Sequence, residues 1–138
     1  MDTTSGSGSR EARTLDDPVM GFELRREVAL LREEPGFAQF GRTSKTLGKS
    51  RHLRLVLTAA RTGAAIGNED AEDAMAIQVL DGTVTVDRGG TGMPFGPGTA
   101  IWFAAGEAWT VRVDRDAALL MSFGWPDETG HRTEEVQP

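Results

Sequence analysis

The sequence predicts a small all-β protein, an antiparallel sandwich or barrel, with one short helix near its N-terminus. Two observations support this. Over most of residues 52–125 apolar and polar residues alternate, which is the period of a half-buried β-strand. Turn-forming pairs separate these short runs at regular spacing, as they do in sandwiches and barrels. A chain of 138 residues is about the size of one domain.

The two ends of the chain differ in composition from its middle. Residues 1–17 are small, polar and charged, with too little apolar surface to fold, and the end of the chain is similar. We therefore predict a disordered tail over 1–17, a single folded domain over 18–126 and a flexible tail over 127–138. The first segment lacks the apolar stretch of a signal peptide, so a cytoplasmic protein is expected.

Composition excludes several classes of function. The chain has no cysteine, which rules out disulfides, zinc–thiolate sites and cysteine nucleophiles. No apolar run approaches the roughly 18 residues that span a bilayer, so no membrane partner is expected. Fifteen basic and 21 acidic residues give a formal charge of −6, without a basic cluster. Nucleic acid is therefore not an expected partner.

The predicted helix covers roughly residues 21–34, GFELRREVALLREE. Its apolar residues recur mostly every three or four positions, as on one face of a helix. We expect the helix to end at Pro35-Gly36, since neither residue favours its continuation. We expect this helix to pack on the barrel or on a second subunit.

The first predicted strand is HLRLVLTA, residues 52–59. Its leucines Leu53, Leu55 and Leu57 share one face, which we assign to the interior, and His52 and Arg54 share the other. The second run, AMAIQVLDGTVTV over 74–86, alternates in the same way, and its Asp-Gly pair predicts a tight turn between two strands.

Residues 96–125 predict three further strands. A turn leads into a strand that carries Ile101 and Phe103, and a second turn follows at Ala105-Gly106. The next strand places Trp109, Val111 and Val113 on one face, and the last alternates Leu119, Met121, Phe123 and Trp125.

With these residues the chain resembles the cupins, which are small jelly-roll barrels. The first cupin motif, G-x5-H-x-H-x3-E-x6-G, fits with Gly63 opening and Gly82 closing. The second, G-x5-P-x-G-x2-H, fits with Gly98 and Gly106 at its glycines. Over roughly residues 20–126 the chain is similar to short bacterial cupin-domain proteins of unassigned function, through GRTSKTL, LRLVLTAARTGA, IQVLDGTVTV and LLMSFGWP. The resemblance implies an antiparallel jelly-roll β-barrel that forms a homodimer.

The positions that hold metal ligands in the cupin motifs carry other residues in this sequence. They fall on Glu69, Ala71, Met75 and Trp109, and the motif proline falls on Ala104. A catalytic metal needs about three imidazole or carboxylate ligands, whereas Ala71 offers none and Trp109 only donates an N–H. We therefore expect a metal-free protein without another cofactor.

A ligand pocket is predicted where those ligands would have been. We assign five residues to it: Glu69, Met75, Phe103, Trp109 and Met121. Trp109 would supply a stacking wall and an N–H donor for a small apolar or aromatic ligand. The alternative is a filled core, because eight-stranded barrels can be packed shut by their own side chains. The leading prediction is thus a small-ligand-binding or interaction module.

Two other functions stay open. One is an isomerase or lyase that uses Glu69 as acid or base, since the chain has no tyrosine and we expect His52 and His131 to be solvent-exposed. The other is a structural or regulatory partner with a closed core. Catalytic residues are therefore left unassigned. Trp102 and Gln78 lie on the strand face opposite to the predicted pocket residues. Their position predicts that this face is covered, either in a dimer or by the N-terminal helix.

Overall fold

The structure, a computed structural model, describes residues 18–68 and 74–124. The predicted tails over 1–17 and 127–138 lie outside these residues, as do Glu69, Ala71 and His131. Within the two described ranges, two short helices precede seven strands in the order α1 (Leu24–Glu33), α2 (Pro35–Phe40), β1 (Arg42–Lys49), β2 (Leu53–Ala60), β3 (Ala65–Asn68), β4 (Met75–Arg88), β5 (Thr91–Phe95), β6 (Ala100–Phe103) and β7 (Trp109–Gly124).

The seven strands form one antiparallel sheet, which confirms the predicted fold class. Its hydrogen-bonded path runs β1-β2-β7-β4-β5, with β3 added to β7 and β6 added to β4. The long strands β4 and β7 pair along most of their length. Their first and second halves have different outer neighbours, so they belong to two half-sheets: β1, β2 and β6 flank one, and β3 and β5 flank the other. Inward side chains of both half-sheets pack into one apolar core.

The turn predicted at Asp81-Gly82 is wrong, because β4 continues through it as a single strand. The register with β7 shifts between Val79 and Val84, and Gly82 has φ +79°. Both valines are fully buried in the same core although they lie five positions apart, at opposite parity. A β-bulge uses positive φ as readily as a hairpin turn does. The bulge therefore carries β4 from one half-sheet to the other.

Helix α1 packs on the outer face of the first half-sheet. Its Val28 and Leu31 are buried in a second cluster with Leu47, Leu57, Ala59 and Ala118. The predicted helix is confirmed, but helical structure does not stop at Pro35. The proline opens α2, because a proline at the first helical position has the right φ and loses no hydrogen bond.

The interior assignment of the β2 leucines is wrong. Leu55 and Leu57 pack beneath α1, whereas Ala60 belongs to the core and Thr58 contacts the core residue Met121. Both faces of β2 are covered, so its alternation does not identify the inward face. Arg54 consequently lies on the interior side, contrary to prediction.

A buried ion pair fastens α1 to β1. Lys45 Nζ lies 2.6 Å from Glu27 Oε1, and the side chains are 6% and 16% exposed. Glu34 adds a second link by accepting a hydrogen bond from the Thr43 hydroxyl at 3.0 Å.

The outer face of β6 is uncovered in the described residues. Trp102 is 73% exposed and Gln78 is exposed, whereas the neighbouring Leu80 packs against the cluster under α1. Of the two alternatives for covering Trp102, a dimer or the chain's own helix, the second is therefore not what the structure shows. Within the described ranges, no helix is long and apolar enough to cross a membrane.

The part of β7 where its register with β4 shifts is linked by hydrogen bonds to the connection between β2 and β3. Asp116 Oδ1 accepts hydrogen bonds from the Thr62 backbone N–H at 2.8 Å and from its hydroxyl at 2.9 Å. These bonds, the backbone one above all, lower the pKa of Asp116 below its ordinary 3.8.

Candidate functional site

Inward-facing side chains form a row across the first half-sheet, where its strands end. Arg54 on β2 is in register with Phe123 on β7. Phe123 is in register with Met75 at the start of β4, which is in register with Phe103 at the end of β6. We call these four residues the end row.

Trp109, the first residue of β7, lies beside the end row. Its ring centroid is 4.3 Å from that of Phe103, with the planes at 37°. Trp109 is only 5% exposed, and its buried Nε1 has no hydrogen-bond partner within 18–68 and 74–124. Because a buried donor without an acceptor costs about 1–3 kcal/mol, a buried indole N–H usually has a partner. The indole is thus a donor at the edge of the apolar core.

Arg54 brings a positive charge to the opposite end of the row. Its guanidinium carbon lies 4.7 Å from the centroid of the Phe123 ring. This is the distance of a cation–π contact, which is stronger where both groups are partly removed from water, as they are here.

Beyond the end row, the interior is almost wholly aliphatic. The next row in register contains Val56, Met121, Ile77 and Ile101, and the one after it contains Thr58, Leu119 and Val79; all are buried. The Thr58 hydroxyl has partners in Ser44 Oγ at 2.8 Å and Met121 Sδ at 3.6 Å. Among these three rows, the only polar side chain besides Thr58 is therefore Arg54, in the end row.

Four of the five predicted pocket residues lie in one buried cluster. These are Met75, Phe103, Trp109 and Met121. Glu69, the fifth, lies outside the described residues, and no contact here tests binding by any of them. The sequence does not predict the inward position of Arg54, because alternation on β2 assigns the leucine face to the interior. The inward face of β2 carries small and β-branched residues, and this series could have identified it: Val56, Thr58 and Ala60.

The described residues at the cupin metal positions do not fit a catalytic metal. Met75 offers a soft thioether and Trp109 an N–H, neither of which is the imidazole or carboxylate that such metals require. Within the described ranges, no three histidine or acidic side chains form a metal-binding group. His52 is exposed in the connection before β2, as predicted.

Two grooves lie on the outer surface, one beside α1 and one beside the segment that precedes it. One, of about 610 Å³, lies between α1 and the sheet near Leu80 and Asp81. The other, of about 280 Å³, lies beside Leu53 and Leu55. Neither is lined by an end-row residue, so both are separate from the candidate site.

No protein-family model matches the chain, and no curated protein matches it either. Solved structures do match it. A cupin superfamily protein from Desulfitobacterium hafniense is 13% identical, with a TM-score of 0.58 over 61% of this chain and 77% of that chain. KdgF from Halomonas sp. is 17% identical, with a TM-score of 0.56 over 75% and 89%.

The polyketide cyclase RemF from Streptomyces resistomycificus also has a similar structure. It is 18% identical, with a TM-score of 0.55 over 64% of this chain and 68% of that chain. Likeness at such low identity concerns the fold alone.

Proposed function

The chain has the cupin fold, and on that basis we propose that it is a small-molecule-binding module whose apolar or aromatic ligand contacts the end row. The buried Trp109 Nε1, without an acceptor among the described residues, gives the strongest support. An acceptor on the ligand would restore the missing hydrogen bond, and the Phe103 ring would pack on an aromatic group. Met75 and Met121 add adaptable apolar surface. Tightly bound metal has no role in this proposal.

Substitution of Trp109 by phenylalanine is expected to weaken ligand binding about threefold to tenfold, because it removes the donor and keeps a ring. A thermal-shift screen of aromatic acids and sugars first identifies a ligand. Calorimetric titration then compares the wild type with the variant. Trp102→Phe is the matched control, since that tryptophan lies on the outer face.

Two results would contradict the binding site. One is that no compound in the screen raises the melting temperature. The other is a ligand that binds Trp109→Phe as tightly as it binds the wild type.

The proposal also includes a homodimer in which a second copy covers β6. Trp102 supports it as a large exposed apolar side chain on the outer face. The outer face of the second half-sheet differs, since it carries exposed ion pairs such as Arg112–Asp87 at 2.6 Å.

Trp102→Glu is expected to convert a dimer into a monomer, because it places a charge in the proposed interface. Light scattering after size exclusion measures this, with Met93→Glu as a control at another exposed apolar residue. A monomeric wild type, or a Trp102→Glu variant that remains dimeric, contradicts the proposed interface.

An enzyme of the isomerase or lyase type remains the second candidate. A polyketide cyclase shares the fold only; what supports this candidate is Glu69, which would be the acid or base. It follows directly after Asn68, whose register partner is Trp109, so it belongs to a connection that starts beside the candidate site. Turnover of a bound ligand that is lost in Glu69→Gln would identify an enzyme, and binding without turnover would identify a binding module.

A further inference from the structure

β6 is an edge strand, since β4 is its only partner among the strands of the described ranges. Edge strands invite pairing with another chain, and proteins oppose this with bulges, proline or charge, or weaken the strand with glycine. β1 has a bulge between Thr46 and Gly48, whereas β5 contains Pro94 and β3 contains Gly67. β6, with the sequence AIWF, has none of these features and is rich in strand-forming residues.

The backbone groups of β6 that face its open edge follow from its hydrogen bonding to β4. The Val79 N–H donates to the Thr99 carbonyl at 2.8 Å, just before β6 begins. In an antiparallel ladder, alternate residues turn both backbone groups toward the same neighbour. Ile101 therefore faces β4 as Thr99 does. Ala100 and Trp102 turn their N–H and C=O groups toward the open edge.

The open edge of β6 is complementary to a second copy of itself. Ala100 and Trp102 are symmetric about Ile101, so an antiparallel copy can pair with Ile101 on a two-fold axis. Each Ala100 then lies opposite the partner's Trp102, and each such pair exchanges two hydrogen bonds. The small side chain of Ala100 leaves room for an indole that is 73% exposed in the single chain.

The surroundings of β6 carry no charge that would repel a second copy. The chain has a formal charge of −6, so two copies repel each other in general. The outward residues of β4 in register with Trp102 and Ala100 are Ala76 and Gln78. An approach along this edge therefore brings no like charges of β6, or of the part of β4 beside it, together.

From these observations, and resting on the homodimer of the proposed function, we infer that two copies pair along β6 and form one continuous sheet. Four backbone hydrogen bonds join the strands around Ile101, and each Trp102 packs beside the partner's Ala100. A ladder of four residues is short, so the dimer dissociates on dilution, as small interfaces do.

The inference is tested with Ala100→Pro in the full chain. Ala100 is the first residue of β6, where proline is tolerated, and its N–H is not needed by β4. By symmetry the substitution removes two hydrogen bonds from the dimer, so its dissociation constant is expected to rise at least about thirtyfold. Sedimentation velocity over a dilution series measures this. Ala100→Ser is the matched control, because it keeps the N–H and a small side chain.

The outcomes separate this inference from the proposed function. A wild type that is monomeric at every concentration overturns both the proposed homodimer and the pairing of β6. If Ala100→Pro dimerises as tightly as Ala100→Ser, pairing of the edges is overturned. The dimer through the Trp102 face then stands on its own.

A crosslinking experiment covers the case in which Ala100→Pro does not fold, as judged by circular dichroism. The chain has no cysteine, so Ala100→Cys introduces a single thiol. In the paired edges the two thiol-bearing residues lie roughly 8 Å apart between Cα atoms, too far for a disulfide but within reach of a short bis-maleimide. Efficient crosslinking is expected for Ala100→Cys and not for Met93→Cys, at an exposed position of β5. Equal yields in the two variants, or no crosslink in a dimeric Ala100→Cys, overturn the pairing.

Discussion

Replacing Gly82 with alanine is expected to destabilise the fold by more than about 4 kcal/mol, an exceptional loss for one methyl group. Gly82 has φ +79°, and a left-handed conformation alone costs an alanine about 1–2 kcal/mol. The added Cβ would also lie 2.7 Å from the Ala117 Cα and even closer to the Asp116 carbonyl oxygen. Both obstacles are backbone atoms of β7, so no side-chain rotation relieves them. Chemical denaturation monitored by circular dichroism measures the loss.

Gly106→Ala is the matched control for Gly82→Ala. Gly106 has φ +84°, but an added Cβ there has no heavy atom within 4 Å. It is therefore expected to lose only the conformational part, about 1–2 kcal/mol. Equal losses in the two variants would show that the close approach of β4 to β7 contributes nothing.

Glu27→Gln is expected to cost about 3 kcal/mol, because it leaves the Lys45 ammonium buried without its counter-charge. This expected loss of stability is at the low end for buried ion pairs, since Glu27 is 16% exposed. Replacing both partners, as in Glu27→Leu with Lys45→Met, is expected to be nearly neutral, because two well-packed apolar side chains avoid the desolvation of both charges. Thermal and urea unfolding of the single and double variants check this.

The exposed pair Arg88–Glu107 provides the control for the buried one. Its side chains are 58% and 47% exposed, so Glu107→Gln is expected to cost at most about 1 kcal/mol. A double variant as unstable as Glu27→Gln would contradict the argument, because the loss would then come from packing of α1 and not from an unpaired charge.

The alternation of β4 and β7 could be predicted from the sequence, but the boundaries of the strands could not. Met75, Ile77 and Val79 share a buried face as expected. The Asp81-Gly82 pair was misinterpreted because positive φ serves a hairpin turn and a bulge equally well. Whether Gly82 forms a hairpin turn or a bulge depends on β7, whose backbone passes beside Gly82. That strand is distant in sequence, so no local pattern reveals it.

The leucines of β2 show a second limit of alternation. They form the more apolar face, and they are buried, but against α1. The interior side has the smaller residues Val56, Thr58 and Ala60, whose register partners on β7 are Met121, Leu119 and Ala117. Hydrophobicity predicts that a face is covered; it does not predict by what.

Some residues of the candidate site can be predicted from the sequence and others cannot, for the same reason. Met75 and Trp109 were identified from cupin motif spacing, which survives although the metal ligands do not. Phe103 and Met121 followed from correct parity on β6 and β7. Arg54 could not be found, since its place depends on which side of β2 the helix occupies.

The pairing of β2 with β7 has a kinetic consequence. It joins Leu53 to Gly124 and Ala60 to Ala117, so the paired residues are 57 to 71 positions apart in the sequence and the middle of the sheet depends on distant contacts. The β1–β2 and β4–β5 hairpins involve short loops and can form within microseconds. Topologies dominated by distant pairings fold in milliseconds to seconds. Slow folding is therefore expected, with α1 docking late, because the surface it covers is assembled from both β2 and β7.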